Sequence, residues 1–221
     1  MRRVFDPILE DLRETLLRMA SRSEAILDKS LRSIWERDAQ LAQQAARDDV
    51  EIDRLDVEID DKVLKALALQ APVAGDLREV VAIKMISNDL ERVGDLAENI
   101  AKSGIRLSRR PRMPIDPNLI RLARGAQEML RRALDAFSDI DAGAARRVIA
   151  DDDRIDAEEN EVISAALRDL SDRPGEVSEA VDMILIAKNL ERVGDHATNI
   201  AEAVILISEA RNVKHADKLG G

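Results

Sequence analysis

Leu90-Glu91-Arg92-Val93-Gly94-Asp95-Leu96-Ala97-Glu98-Asn99-Ile100-Ala101 returns as Leu190-Glu191-Arg192-Val193-Gly194-Asp195-His196-Ala197-Thr198-Asn199-Ile200-Ala201. Ten of the twelve positions are identical at a spacing of one hundred residues, so the chain is a duplication. Upstream, Asp49-Val50-Glu51-Ile52-Asp53-Arg54-Leu55-Asp56 resembles Asp152-Asp153-Arg154-Ile155-Asp156-Ala157-Glu158-Glu159. The offset there is 103, which makes the intervening loop three residues longer in the first copy. Phe5-Asp6-Pro7 and Ile115-Asp116-Pro117 open the two copies, and a basic stretch over 108–115 with Pro111 and Pro114 links them.

Each copy reads as three helices. Asp6-Pro7 and Asp116-Pro117 have the form of an N-cap followed by an N1 proline. Asp38 and Asp141 suit the caps of the second helices. Pro72, Gly75 and the box Asp76-x-x-Glu79 mark the third helix of copy one, and Pro174-Gly175-Glu176 mark it in copy two. The expected helices are 7–36, 38–70, 74–108, 117–139, 141–171 and 174–211. Ile86, Leu90, Val93, Ala97 and Ile100 recur at three- and four-residue steps, as do Ile186, Leu190, Val193, Ala197 and Ile200, and Ile52, Leu55, Ile59 and Val63 on the second helix. Short connections make neighbouring helices antiparallel. The fold expected is all-α: two tandem antiparallel three-helix bundles, 1–110 and 111–212, related by a pseudo-twofold, then a polar tail 213–221.

Composition narrows both fold and chemistry. Aromatic residues are 1% of the 221, with only nine Gly and six Pro, which disfavours a β-sandwich or barrel. No cysteine is present, so disulfides, thiolate catalysis and cysteine-based zinc or iron–sulfur sites are excluded. The net charge of −10 opposes sequence-independent binding to nucleic acid. No apolar h-region follows Arg2-Arg3, and no apolar run approaches the ~20 residues of a membrane helix. The expectation is a soluble cytoplasmic protein. No Glu-x-x-His, HExxH, GxSxG or glycine-rich phosphate loop occurs, and an enzyme is not expected.

The acidity has a pattern. Glu91 and Asp95 are four residues apart, so their carboxylates lie on one helical face, and Asp49 and Asp53 share that spacing, with Asp56 and Asp60 beyond. Copy two repeats it with Asp152, Asp156 and Glu159, then Glu191 and Asp195. Such stripes on adjacent helices concentrate negative charge, which a hard or borderline cation with oxygen ligands would neutralise. Salt bridges with Arg54, Arg92, Arg154 and Arg192, or partner docking, account for them equally well. Gly94 and Gly194 lie mid-helix, where Gly costs about 1 kcal/mol relative to Ala. They serve either close helix packing or room for an ion. His196 points away from Asp195 and reads as a surface or core-edge residue; His215 falls in the polar tail.

The twin Leu-Glu-Arg-Val-Gly-Asp motifs at 90–95 and 190–195, the Asp-x-x-Ile-Asp segment of each copy and Asp76-Leu77-Arg78 resemble the PhoU family, over nearly the whole chain. The resemblance implies two three-helix bundles whose carboxylate motifs hold multinuclear iron or zinc clusters, with magnesium or manganese in other members. By motif match the ligands are Asp49, Asp53, Glu91 and Asp95, and Asp152, Asp156, Glu191 and Asp195. It also implies a regulator that restrains phosphate uptake and represses phosphate-starvation genes, bridging the ATPase subunit of a high-affinity phosphate transporter and a sensor histidine kinase, often as a homodimer. An accessory protein of a low-affinity phosphate carrier and a metal-storage helical bundle are the alternatives.

Overall fold

The structure is a computed structural model that describes residues 5–110, 115–172 and 177–214. The chain forms α1 (Asp6–Glu36), α2 (Ala39–Gln70), α3 (Ala74–Ser108), α4 (Pro117–Asp139), α5 (Ala142–Ile149), α6 (Asp152–Asp172) and α7 (Val177–Glu209), with no strand among the described residues. The first three helices pack on one another, and α4 through α7 form the second bundle. The two bundles meet along α3 and α7. These two run antiparallel, because Asp89 on α3 meets His196 on α7 while Arg106 on α3 meets Asp182.

The anticipated stripes make the core. Ile86, Leu90, Val93, Ala97 and Ile100 are fully buried, as are their counterparts Ile186, Leu190, Val193, Ala197 and Ile200. Ile52, Leu55, Ile59 and Val63 close the first bundle from α2.

The same corner turns the chain in both copies. Arg37 and Ile140 take left-handed conformations, with φ of 56° and 52°. Asp38 N–H then donates to Ser33 C=O at 3.0 Å, and Asp141 N–H to Ala136 C=O at 2.9 Å, ending each first helix. The aspartates in turn cap the next helix: Asp38 accepts from the N–H groups of Gln40 and Leu41, and Asp141 from those of Gly143 and Ala144.

Three local expectations change. The helix expected over 141–171 is broken at Ala150–Asp151 into α5 and α6. Three consecutive aspartates, Asp151 to Asp153, stand at the break. Acidic side chains repel one another inside a helix but are stabilised at a helix N-terminus by its partial positive charge. The break puts Asp152 and Asp153 in the first turn of α6. At the start of α1 the cap position is Phe5 without a side-chain bond, so Asp6 sits inside the first turn; Asp116 does cap α4, accepting from Asn118 N–H at 2.8 Å. The box at Asp76 does not close either, because Val73 is the N-cap of α3 and Glu79 instead pairs with Arg13 of α1. The expected helix start at 174–176, Pro111 and Pro114 of the linker, and His215 with most of the tail lie outside the described residues.

Candidate functional site

In the first bundle α2 and α3 bring Asp49, Asp53, Glu91 and Asp95 into one electrostatic neighbourhood. Burial, followed by the charges of Asp53, Asp95, Glu98 and Glu91, pushes the Asp49 carboxyl up to about 6. Glu91 is also raised, by burial and Asp95, then by Asp56 and Asp53, with Arg92 opposing. Asp49 Oδ1 is buried and accepts no hydrogen bond. It lies against Gly94, where a Cβ would collide with it and stand 2.9 Å from Ile52 Cδ1. The missing side chain of Gly94 therefore makes room for a carboxylate.

Cations reach only the margins of this group. Arg92 approaches Glu91 at 3.3 Å and Asp95 at 3.1 Å, while about half its side chain is in water. Lys84 binds Asp56 at 3.1 Å and Asp60 at 2.5 Å. Arg54 turns to Glu51 instead. Salt bridging thus accounts for part of the stripe and leaves Asp49 uncompensated.

The second bundle repeats the group on α6 and α7 with different details. Asp195 is raised by burial, Asp152 and Asp156, against His196 and Arg192. Glu191 is raised by burial, Asp195 and Glu159, against Lys188. Asp152 is raised by burial, but its Oδ1 accepts from Thr198 Oγ1 at 3.1 Å. Copy one has Glu98 at the position of Thr198, so an acid there is replaced by a donor. Gly194 faces no carboxylate: a Cβ would stand 3.1 Å from Ile155 Cγ2. Gly125 of α4 presses on the same residue, with a Cβ there 2.8 Å from Ile155 Cδ1. Close packing is the role of Gly194. Arg154 bonds Glu158, and Lys188 bonds the nearly buried Glu159 at 2.6 Å.

All eight carboxylates singled out in the sequence thus fall into two groups of four, one per bundle. Among the described residues no three acids or imidazoles stand together as a formed coordination shell. The donor set is all oxygen, the chemistry of magnesium, manganese, iron or zinc held by carboxylates. The buried, unbonded oxygen of Asp49 fits that chemistry in copy one. In copy two the corresponding oxygen is already bonded by Thr198.

The sequence reading misses three sets of residues. Lys84 and Lys188 neutralise one end of each stripe; a lysine seven or three residues before each Glu-Arg-Val-Gly-Asp was the available signal. Asp89 receives Asn199 Nδ2 at 3.0 Å and lies 2.8 Å from His196 Nδ1, tying the bundles together. Asp182 is buried and held by Arg106 at 2.6 Å and Arg110 at 3.4 Å, with Glu179 bonded to Arg37 at 3.2 Å beside it. Neither cross-bundle group has a sequence signal, because both depend on how α3 lies on α7.

The PhoU domain family model matches residues 16–104 and 119–204, one match in each bundle. The chain is 35% identical over 220 residues to a Zymomonas mobilis protein named phosphate-specific transport system accessory protein PhoU homolog, covering 96% of this chain and 89% of the relative. A Pseudomonas aeruginosa protein of the same name is 33% identical over 212 residues, covering 96% and 88%. The crystal structure of PhoU from Pseudomonas aeruginosa superposes with a TM-score of 0.90 at 33% identity, over 94% of this chain and 100% of the other. The Streptococcus pneumoniae phosphate transport system regulatory protein PhoU shares the fold at a TM-score of 0.88 and 24% identity, over 94% and 98%.

Proposed function

This chain belongs to the PhoU family, and from that premise we propose that it is a cytoplasmic, non-enzymatic regulator of phosphate uptake and of the response to phosphate starvation. It acts as an adaptor between the ATPase subunit of a high-affinity phosphate transporter and a sensor histidine kinase, and works as a homodimer. The observation that carries the reading is the match of both bundles to one family whose relatives are named as accessory proteins of phosphate-specific transport. The physical form suits the role. Helices of 31 to 35 residues in the first bundle offer long rigid faces for a partner's helices. No described helix is long and apolar enough to cross a membrane.

The acidic groups are the regulated faces in this proposal. Asp49, Asp53, Glu91 and Asp95 hold a cation between α2 and α3, and Asp152, Asp156, Glu191 and Asp195 hold one between α6 and α7. Iron or zinc clusters, magnesium or manganese satisfy the oxygen donors. A bound cation supplies positive charge that offsets carboxylate repulsion and cross-links two helices. The protein's own contribution is to keep Asp49 desolvated over Gly94, so that its charge is costly until compensated.

The test is a pull-down of the transporter ATPase subunit and of candidate kinases by the full chain, at high and low phosphate. Capture of both, with a change between the two conditions, is expected. Capture of neither at either phosphate level overturns the adaptor reading. Separately, Glu91→Ala with Asp95→Ala should lower bound metal by elemental analysis after chelator-free purification, with helicity unchanged. Wild-type metal content in that variant removes these residues as ligands.

A further inference from the structure

The outer face of α2 carries an apolar seam that stands exposed among the described residues. Val50, Val57 and Leu64 are 50%, 62% and 64% exposed and recur at seven-residue steps. On a helix this spacing puts them in one line about 21 Å long, directly opposite the buried Ile52, Leu55 and Ile59. A seven-residue step falls short of two full turns by about 20°, so the line drifts slowly around the helix. The drift carries it toward the side of Asp53 and Asp60. Isolated surface valines need no explanation, but a seam in register over four turns does.

The duplication supplies an internal control. At the offset of 103 the corresponding residues are Asp153, Asn160 and Leu167. Two of the three positions are polar in the second bundle, so the fold itself does not require an apolar line here. Only the first bundle carries the seam.

Charge decides what can sit on it. Asp61 within the line makes no ion pair among the described residues, and Asp53 on one flank meets no cationic side chain there. Arg54, the cation nearest the line, is turned to Glu51. An acidic or neutral helix laid on Val50, Val57 and Leu64 would bring its flanks against this charge. A helix with basic flanks would complement it while covering the three apolar side chains.

We propose that the Val50–Val57–Leu64 seam of α2 is the docking site for an amphipathic helix of a partner protein, apolar at heptad spacing and flanked by Lys or Arg. The inference rests on the adaptor reading and deepens it by giving the chemistry of one partner element and by assigning it to the first bundle.

The probe is a dye-labelled synthetic 21-residue helix with leucines at heptad spacing and Lys flanks, titrated against the full chain by fluorescence anisotropy. A peptide with Glu in place of Lys is the control. The Lys peptide is expected to bind with one-to-one stoichiometry and the Glu peptide not to bind. Val57→Asp should weaken binding at least tenfold, whereas Asn160→Asp, the same charge change at the equivalent place in the second bundle, should leave it within twofold. The aspartate at 57 makes the face more acidic, so an association driven by charge alone would tighten instead. Unchanged or tighter binding to Val57→Asp, equal loss in Asn160→Asp, or binding of the Glu peptide overturns the proposal. So does light scattering that shows a wild-type dimer split by Val57→Asp, which would make a second copy the occupant. Circular dichroism confirms that the variants fold. Partner capture that survives Val57→Asp would reject the seam and leave the adaptor reading standing; absence of capture by the wild type would reject the adaptor reading itself.

Discussion

The buried Oδ1 of Asp49 rests against the bare Cα of Gly94 and accepts no hydrogen bond among the described residues. The arrangement couples a backbone choice on one helix to a charge on its neighbour. In the second bundle the equivalent glycine is filled by Ile155, so the two copies of one motif have diverged in what the missing side chain is for.

Gly94→Ala and Gly194→Ala should therefore behave differently. At position 94 the obstacle is the end of a short side chain that can swing into water, with Ile52 Cδ1 as the second contact. Alanine also gains about 1 kcal/mol of helix propensity. Stability should stay within about 1 kcal/mol of wild type, while Asp49 moves outward and its carboxyl returns toward the ordinary range. At position 194 the obstacle is Ile155, which is buried and cannot retreat because Gly125 presses on it from α4. Overpacking there should cost about 1–3 kcal/mol. Denaturant melts check the stability difference, and NMR titration of the carboxyl carbons checks Asp49.

The raised carboxyls set the direction of pH dependence. A carboxyl whose folded pKa lies above its unfolded value makes the native state bind protons more tightly. Its cost is fully present above the folded pKa and disappears as pH falls toward the unfolded one. For Asp49 that window runs from about 6 down to 3.8. Glu91, Asp152, Glu191 and Asp195 shift the same way. Asp49 is partly solvated, so its share is on the order of 1 kcal/mol after screening. Metal-free protein should melt at a higher temperature near pH 5.5 than at pH 7.5, and Asp49→Asn should flatten the slope. Added manganese should reverse the trend, because the cation competes with protons for the same oxygens. A melting temperature that rises with pH in the metal-free protein would contradict the account.

Asp182 predicts where the bundles separate. Its side chain is 3% exposed and takes two bonds from Arg106, at 2.6 and 2.7 Å. Arg106 is itself nearly half in water, which reduces what the pair is worth. Asp182→Ala should still cost about 2 kcal/mol, since it strips a charge partner from Arg106 and Arg110 at a buried seam. The pseudo-symmetric position on α3 is Ala82, so this ionic end has no twin. Hydrogen exchange should accelerate at the start of α7 and the end of α3 in the variant, and not at the opposite end of the pair.

How much of this was legible beforehand follows from the range of each interaction. The core stripes, the Asp38 and Asp141 caps and the carboxylate pairs are local patterns with helical period, and the sequence displays them directly. The duplication made them readable twice. The break at Ala150–Asp151 was also local, but the expectation of one helix over 141–171 passed over the three-aspartate run, which helix N-termini accept better than helix interiors do. The role of Gly194 depends on Ile155 reaching from α6, and the Asp182 and Asp89 contacts on the angle between α3 and α7. Those distances exist only after the bundles are assembled. The acid groups were found by type and spacing, but the buried, unbonded oxygen of Asp49 required the packing of α2 on α3.

The duplication offers one further test, at the tie between the bundles. Asp89 contacts His196 and Asn199 across the α3–α7 interface. The twofold-related pair is Asn189 and Leu96, and among the described residues Asn189 bonds within its own helix, to Leu185 C=O at 2.6 Å. The polar tie of Asp89 to His196 and Asn199 thus has Asn and Leu at its twofold-related positions. His196→Leu alone leaves the largely buried Asp89 with one donor fewer, and Asp89→Asn alone removes the charge that His196 and Asn199 face. Each should cost about 1 kcal/mol. The double variant rebuilds at this site the residue pair already tolerated at its twin, so its loss should be smaller than the sum by at least about 0.5 kcal/mol. A double-mutant cycle by urea denaturation measures that coupling. Strict additivity would mean that Asp89 and His196 are neighbours without an energetic tie, and that the two sides of the interface do not share one geometry.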